Sequence, residues 1–293
     1  MGKIEDEKEA LDWNNKGNSL FQLGKYEEAI ACYDKATRLD PQNHHTWNNK
    51  GAALSGLGRY EEAIACADEA IRLDPEDIMG WLNKGDLLDL LEKYEEAIAC
   101  YDEVIRVRPE EPVGWIHKGD SLASLGTGTL KVPGLKAIVT EWCEEAIACY
   151  DEATRLDPDE DRWFDKCNVL VAQGKYEEAI ACYDEVIRVR PEEPGAWYCK
   201  GNSLASIEKY KESIACYDEV IRLDLEAYYG WNNKGAALAN LERYEESIAC
   251  VDKAIKLDSQ NPDAWNNKGN VLKKLGRDEE AEQCFANVKR LQK

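Results

Sequence analysis

The sequence predicts an all-α protein, a solenoid of antiparallel helix pairs, and two regularities carry that prediction. Each 34-residue segment shows helical apolar spacing twice, once on either side of a turn that usually contains glycine. Tryptophan marks the same place in every segment, with one irregular gap of 48 residues, at Trp13, Trp47, Trp81, Trp115, Trp163, Trp197, Trp231 and Trp265. A fixed period of this size indicates stacked helical units and replaces the two-domain organisation that the length alone would suggest.

The first helix of each segment is predicted from its apolar stripe. In the first segment, Trp13, Gly17 and Leu20 stand at i, i+4 and i+7, which places them on one face of a helix. Gly24 follows and is predicted to end that helix, since glycine is favoured just beyond a helix C-terminus. Because burying one tryptophan removes about 150–250 Å² from water, we expect the tryptophans to lie in the core.

The second helix is predicted to begin at Tyr26. Glu27 and Glu28 follow in its first turn, where acidic side chains interact favourably with the helix dipole. The inward stripe of this helix consists of Ala29, Tyr33 and Ala36. An Asp40-Pro41 pair then closes the unit, so one segment is one helical hairpin.

Eight such repeats are predicted, and each is counted from three residues before its tryptophan, starting near residues 10, 44, 78, 112, 160, 194, 228 and 262. Residues 10–293 are thus expected to form one solenoid behind a polar leader, residues 1–9. The long tryptophan gap arises from an insertion, Thr127–Glu141, in the turn of the fourth repeat, and its end is expected to extend the second helix. Its apolar residues favour either coverage of a neighbouring surface or a protein contact over full solvation, although a tolerated loop remains open; they are Leu130, Val132, Leu135, Ile138 and Val139.

The recurring residues resemble the tetratricopeptide repeat family. The repeats follow that family's framework, with tryptophan at the fourth place, glycine at the eighth, leucine at the eleventh, alanine and tyrosine in the second helix and a closing proline. The seventh place holds lysine, where the family usually has leucine. Cys167 replaces the glycine in the fifth repeat, and Ser213 and Ser247 replace the alanine in the sixth and seventh. The resemblance implies a right-handed superhelix whose first helices line the inside.

The charge balance limits the choice of partner. With 58 acidic against 37 basic residues, the net charge is −21, which disfavours nucleic acid and anionic membrane surfaces and permits a neutral to basic partner. Helical spacing places 27 of the acids on the outer side of the second helices, as a solvated face, and predicts ion pairs from Asp34 to Arg38 and from Asp68 to Arg72. No apolar stretch is long enough for a membrane span and residues 1–9 lack a signal-peptide core, so we expect a cytoplasmic protein.

The cysteines are predicted to be reduced packing residues. Eight of the 11 recur at one place of the second helix, at Cys32, Cys66, Cys100, Cys149, Cys182, Cys216, Cys250 and Cys284. Successive copies should lie too far apart for disulfides, and Cys167, which replaces a close-packing glycine, is expected to widen its helix pair locally. The chain has no C-x-x-C pair and only three histidines, His44, His45 and His117, so no metal site and no cofactor are predicted. Without a phosphate-binding glycine loop or a desolvated acid–base pair, no enzymatic activity is expected either.

Asparagine is concentrated on the face of the first helices opposite the tryptophan stripe. Asparagine disfavours helix interiors by up to about 0.7 kcal/mol relative to alanine, so a row of them requires a reason. Because a primary amide both donates and accepts hydrogen bonds, such a row is suited to bind the backbone of a peptide, as in some tetratricopeptide repeat proteins. The predicted peptide-binding residues are Asn14, Asn15, Asn18, Asn48, Asn49, Asn83, Asn202, Asn232, Asn233, Asn266, Asn267 and Asn270; Asn168 and Asn240 share the face. Copying offers the alternative explanation, since residues 94–112 and 176–194 are identical.

The same face carries apolar and acidic residues in the middle repeats. A candidate apolar anchor for a partner is formed by Leu82, Ile116, Phe164 and Tyr198. Asp86, Asp89 and Asp120 favour neutral or basic ligands there, and the fifth place never holds the Lys or Arg of a carboxylate clamp. The lysine at the seventh place flanks the buried stripe, so we interpret it as structural.

Two functions follow from these patterns. We predict a protein-interaction scaffold that binds a peptide segment in the concave groove, with the asparagine row as the candidate binding element. The alternative is a self-assembling structural scaffold that uses its ends or the 127–141 insertion. Polar terminal helices favour a monomer or a weak homodimer.

Overall fold

The protein is all-α, as the repeat predicts. The computed structural model describes the backbone of residues 2–129, 136–157 and 163–291, and side chains for most of them. Within these ranges the chain forms helices in tandem pairs and no strands. The helices are α1 (Gly2–Gln22), α2 (Tyr26–Leu39), α3 (His44–Gly56), α4 (Tyr60–Leu73), α5 (Ile78–Leu90), α6 (Tyr94–Val107), α7 (Pro112–Thr129), α8 (Lys136–Leu156), α9 (Trp163–Ala172), α10 (Tyr176–Val189), α11 (Pro194–Ser206), α12 (Tyr210–Leu223), α13 (Tyr228–Asn240), α14 (Tyr244–Leu257), α15 (Pro262–Lys274) and α16 (Asp278–Leu291).

The helices belong to two compact units, Met1–Arg162 with α1–α8 and Trp163–Lys293 with α9–α16. In each unit, here called the N-terminal and C-terminal half, the two helices of a repeat pack together and the second helix packs on the first helix of the next repeat. The first helices of successive repeats also touch, as α1, α3, α5 and α7 do in turn. One continuous solenoid over residues 10–293 stays a prediction.

Tyrosine, rather than tryptophan, fills the centre of the helix pairs. The second-helix tyrosines are at most 2% exposed, and they are Tyr33, Tyr101, Tyr150, Tyr183 and Tyr217. The described tryptophans are only partly buried, and in five of them the indole N–H donates to the carbonyl oxygen six residues earlier, as from Trp47 to Pro41 at 3.1 Å and from Trp81 to Pro75 at 3.0 Å. Tryptophan therefore packs against the core clusters instead of lying inside them, as Trp47, Trp81, Trp231 and Trp265 do. Its ring covers the edge of the helix pair and its N–H fixes the turn between repeats.

The turn between the two helices contains a left-handed residue in the seven repeats without the insertion. Gly24 and its equivalents in the second, fifth and eighth repeats have φ between 72° and 74°, as predicted for a residue that ends a helix. The third, sixth and seventh repeats place Glu92, Glu208 and Glu242 there, with φ of 58°, 62° and 60°. A side chain with a Cβ is strained in this conformation by about 1–2 kcal/mol, so these three turns are weaker than the glycine turns.

Replacing Glu208 by glycine is expected to raise the free energy of unfolding by about 1 kcal/mol, because relief of the strain exceeds the entropy that glycine adds to the unfolded chain. Urea denaturation followed by circular dichroism measures the change. The control is Ala215→Gly on the exposed side of α12, where the same residue should lower stability by about 1 kcal/mol. A loss of stability in both variants would contradict this explanation.

The segment before the first repeat and the described ends of the insertion are both helical. Residues 2–9, predicted as a leader, form the start of α1, because nothing in that charged stretch breaks a helix. The insertion begins α8 at Lys136, which confirms the predicted extension of the second helix. It also lengthens α7 to Thr129, where Gly128 favoured a loop. Val139 is 2% exposed and Ile138 44% exposed, so the added turn buries one side only. Leu130, Val132 and Leu135 lie outside the described residues.

The seventh-place lysine is structural, as interpreted. It forms an ion pair with the aspartate that was predicted to pair with an arginine, so that prediction is wrong. Lys50 Nζ lies 2.7 Å from Asp34 Oδ1 of the preceding repeat, and Lys84 lies at the same distance from Asp68. The repeated aspartate thus links two repeats instead of pairing with an arginine four residues later. Arg72 pairs instead with Glu69, three residues before it, at 2.6 Å, and Arg38 Nε donates to the backbone carbonyl oxygen of Asp34 at 2.9 Å.

One cysteine pair also departs from the prediction. Cys167 and Cys182 form a disulfide with their Cα atoms 5.6 Å apart, whereas nine cysteines are free thiols. The prediction of free thiols considered only the distance between the recurring second-helix cysteines of successive repeats. The eighth place of a first helix, however, faces the recurring cysteine of its own second helix, so a cysteine at that place has a partner within reach.

Candidate binding face on the first helices

The fifth place of the first helix is buried in five of the eight repeats. Asn14, Asn48 and Asn232 are 8%, 7% and 7% exposed, although helical spacing alone placed them in the groove. Leu82 and Ile116, predicted as part of an exposed apolar anchor, are 9% and 5% exposed, so that expectation is wrong for these two side chains. The reason is that the first helix of the next repeat covers this place. Phe164 and Tyr198 are partly buried, and Asn266, in the last repeat, is exposed.

The buried asparagines accept hydrogen bonds from the sixth place of the next repeat. Asn49 Nδ2 donates to Asn14 Oδ1 at 3.1 Å, and Asn267 Nδ2 donates to Asn232 Oδ1 at 2.9 Å. Asn83 makes the same contact with Asn48 at a longer distance, 3.4 Å. The asparagine row therefore connects neighbouring repeats, and the amides of Asn49, Asn83 and Asn267 keep a carbonyl oxygen and a second N–H for other partners.

In the C-terminal half, fifth-, sixth- and ninth-place side chains form a further hydrogen-bonded network. Asn233 Nδ2 lies 2.9 Å from Asn202 Oδ1 and 3.2 Å from Tyr198 Oη, and Asn232 Nδ2 donates to Asn233 Oδ1 at 3.1 Å. Tyr229 packs edge-on against Tyr198 with ring centroids 4.9 Å apart. Tyr198 is thus positioned by polar and aromatic contacts on the inner side of its helix.

The ninth place carries a polar side chain that the core tyrosine of the same repeat orients. Tyr33 donates to Asn18 Oδ1 at 2.8 Å and Tyr183 donates to Asn168 Oδ1 at 2.9 Å, which leaves each amide N–H₂ group directed away from the phenol. Where the second helix has alanine or valine in place of tyrosine, in the second and seventh repeats, the ninth place holds alanine. This covariation between repeats is readable in the sequence, but the spacing within a single helix does not reveal it.

Carboxylates take over the ninth place in the third and fourth repeats. Tyr101 Oη lies 2.9 Å from both Asp86 Oδ1 and Asp89 Oδ2, and Ser121 donates to Asp89 at 2.7 Å. His117 Nδ1 lies 3.0 Å from Asp86 Oδ1. Burial raises the pKa of Asp89, while the hydrogen bonds from Ser121 and Tyr101 act in the opposite direction.

This acidic cluster, defined as Asp86, Asp89 and Asp120 with their phenol partners, is partly open to solvent. Tyr150 donates to Asp120 at 2.9 Å, and the side chain of Asp86 is 49% exposed. Carboxylates that are fixed by buried donors and half removed from water attract a cation more strongly than carboxylates on a solvated helix. The cluster therefore favours a positively charged group on this face.

Two shallow cavities lie beside these residues in the N-terminal half. One has a volume of about 300 Å³ and is lined by Asn18, Phe21, Gln22, Tyr33, Asn49 and Ala52. The next has about 180 Å³ and is lined by Gly51, Ala52, Ser55, Asn83, Asp86, Leu87 and Leu90. Each combines amide or carboxylate groups with apolar side chains.

The structure also brings together groups that the sequence spacing did not connect. Ligand atoms of His44, His45 and Asp77 lie within 4.8 Å of one another. The prediction that the chain has no metal site considered the histidines without this aspartate, which is 32 residues away in sequence from the nearer histidine. In the part of the chain that the structure describes, no helix has both the length and the apolar character needed to cross a membrane.

Comparisons with known proteins identify the repeat. Family models described as "TPR repeat" match residues 17–58, 168–207 and 235–276, and models described as "Tetratricopeptide repeat" match residues 45–77, 78–111, 194–226 and 262–293. No curated protein matches the chain.

Solved structures share the fold at low sequence identity. A tetratricopeptide repeat protein from Parabacteroides merdae ATCC 43184 is 14% identical, with 90% of this chain and 99% of that one covered and a TM-score of 0.58. MamA, residues 41 to the end, from Desulfovibrio magneticus RS-1 is 21% identical, with 59% and 94% covered and a TM-score of 0.49.

Proposed function

This chain belongs to the tetratricopeptide repeat family, whose repeats typically form non-catalytic protein-interaction scaffolds, and we propose that it binds an extended, basic segment of a protein partner along its inner face. The inner face is the surface formed by the sixth and ninth places of the first helices within one half, and the one proposed to bind lies in the N-terminal half. The observation that carries the proposal is the acidic cluster, in which buried phenols hold Asp86 and Asp120 at the places that hold amides in other repeats.

Amide groups that precede the cluster in the N-terminal half are suited to a peptide backbone. Asn15 is exposed, Asn18 keeps its N–H₂ group after accepting from Tyr33, and Asn49 and Asn83 keep a carbonyl oxygen after donating to the preceding repeat. A peptide presents alternating N–H and C=O groups, and each hydrogen bond to them contributes about 0.5–1.5 kcal/mol. Asn266 and Asn270 offer the same groups in the last repeat, where both are exposed.

The buried asparagines have a different role in this proposal. Asn14, Asn48 and Asn232 hold one repeat against the next and thereby fix the spacing at which the ligand-binding amides stand. The asparagine row therefore has two parts: the buried amides hold the repeats in position, and the solvent-accessible amides bind the ligand. The proposed setting is a cytoplasmic monomer or weak homodimer, and the nine free thiols agree with a mostly reducing compartment.

The test selects its ligands from a random library, so the natural partner need not be identified first. A displayed library of random twelve-residue peptides is enriched on the full-length protein, and dissociation constants of the selected peptides are measured by fluorescence anisotropy. We expect peptides rich in Lys or Arg, and we expect Asp86→Asn/Asp120→Asn to weaken their binding at least tenfold, since a hydrogen bond to a charged group contributes about 1.5–3 kcal/mol. Asparagine preserves the acceptor for the phenol, as Asn18 does for Tyr33.

A matched control separates the inner face from total charge. Glu27→Gln/Glu61→Gln removes two acids from exposed first turns of α2 and α4 and should leave the dissociation constants within twofold. Equal losses in both variants would mean that net charge, not the inner face, attracts the peptides. If no peptide is enriched and light scattering shows concentration-dependent assembly, the chain is a self-assembling scaffold instead.

A further inference from the structure

A pair of histidines distinguishes the second repeat from the others. His44 and His45 are the first two residues of α3, and the chain has only one other histidine. The equivalent places of the other repeats hold no histidine. Repeat duplication therefore does not explain the pair.

The turn before α5 brings carboxylates to these rings. Asp77 Oδ2 lies 3.4 Å from His44 Nε2 and 3.9 Å from His45 Nδ1, and Asp74 Oδ2 lies 3.8 Å from His44 Nε2. The two imidazole rings lie against each other with centroids 3.9 Å apart. Three potential ligand atoms thus converge from two repeats on one point at the surface.

We propose that His44 Nε2, His45 Nδ1 and Asp77 Oδ2 bind a divalent first-row transition metal ion of the zinc class. Imidazole nitrogen and carboxylate oxygen form the donor set that zinc prefers, whereas calcium and magnesium prefer oxygen ligands alone. In a tetrahedral zinc site with bonds of about 2.0–2.1 Å, ligand atoms stand about 3.3 Å apart. The His44–Asp77 distance already matches this spacing, and His45, whose side chain is 70% exposed, has room to close the remaining gap.

The surroundings favour a cation at this place. The N-terminus of α3 carries the positive end of the helix dipole, and the two carboxylates offset it. Asn43 caps α3 through Thr46 N at 3.2 Å, so the helix end does not need Asp77. Asp77 instead caps α5 with Oδ1, which accepts from Met79 N at 3.1 Å, and this contact orients Oδ2 towards the histidines.

Metal binding would act on the junction between the second and third repeats. Asn48 Nδ2 donates to Asp77 Oδ2 at 3.2 Å, and Asn48 Oδ1 accepts from Asn83 at 3.4 Å. An outer partner of a metal ligand in this arrangement holds the carboxylate in position. The bound ion would join α3 to the turn before α5 and stabilise the amide pair at the edge of the inner face.

The experiment uses tag-free full-length protein, since a polyhistidine tag would itself bind metal. Isothermal titration with ZnCl₂ is expected to give one site per chain, and His44→Gln/His45→Gln should weaken its affinity at least tenfold. Asp77→Asn should weaken it about tenfold without unfolding α5, because asparagine is as good a helix cap as aspartate. Zinc should raise the melting temperature of the wild type and not that of the double variant.

Two controls make the outcome decisive. His117→Gln removes the remaining histidine, far along the chain beside Asp86, and should leave the affinity unchanged. Cobalt(II) substitution distinguishes nitrogen and oxygen ligands, which give weak visible bands, from thiolates, which add intense near-ultraviolet bands. The proposal is overturned if the wild type binds no zinc at millimolar concentration, or if the double variant binds it as tightly as the wild type.

Discussion

Replacing Gly85 by alanine is expected to lower the free energy of unfolding by about 3 kcal/mol, the upper part of the range for overpacked cores. An added Cβ would lie 2.5 Å from Tyr101 Cε1 and 2.7 Å from its Cζ. The ring is 0% exposed and its hydroxyl lies 2.9 Å from Asp86 and Asp89, so it has no room to move without losing these contacts. Urea denaturation followed by circular dichroism measures the change, and peptide binding at the acidic cluster should fall with it.

Gly51→Ala is the matched control at the same place of the second repeat. Its Cβ would meet Ala63 O at 3.3 Å and Cys66 Cβ at 3.4 Å, because this repeat has Ala67 where the third has Tyr101. We expect a small change or a gain, since alanine favours a helix interior over glycine by about 1 kcal/mol. Equal destabilisation of the two variants would show that glycine matters for backbone reasons and not for contact with the ring.

The helix pairs could be predicted from the sequence because their signals are local. The start of α2 at Tyr26 and the left-handed Gly24 follow from spacing and from the conformational freedom of glycine within one repeat. Pairings between repeats could not be predicted in this way. Lys50 meets Asp34 only because the second helix of one repeat packs on the first helix of the next, and a single-helix projection contains no such information.

The candidate site shows the same limit. Helical spacing grouped Asn14, Asn15 and Asn49 on one side of their helices and assigned all three to the same surface. The structure separates them, because the following helix covers Asn14 and leaves Asn15 exposed. The depth at which a side chain lies in a solenoid depends on the packing of neighbouring repeats, which is a property of the stack and not of any repeat alone.

The disulfide between Cys167 and Cys182 leads to the second large expected effect. Without reductant the unfolded protein should expose nine reactive thiols to a thiol reagent, and after reduction all 11 cysteines should react. Because the bridge closes a loop of 15 residues, the chain-entropy model assigns it about 3 kcal/mol, which reductant should remove. Urea denaturation with and without reductant measures this difference.

Cys167→Gly tests whether the cysteine at the eighth place is the only feature of the fifth repeat that the bridge requires. In the sixth repeat, a Cβ added at Gly201 would lie 3.2 Å from Cys216 Cβ, so the recurring cysteine stands beside this place even where glycine leaves it unpaired. Cys167→Gly restores the ordinary repeat and should make stability independent of reductant, with ten thiols reactive in both conditions. If the wild type exposes 11 thiols without reductant, Cys182 is an ordinary member of the cysteine row, and the fifth repeat must accommodate Cys167 by widening its helix pair, as the sequence alone predicted.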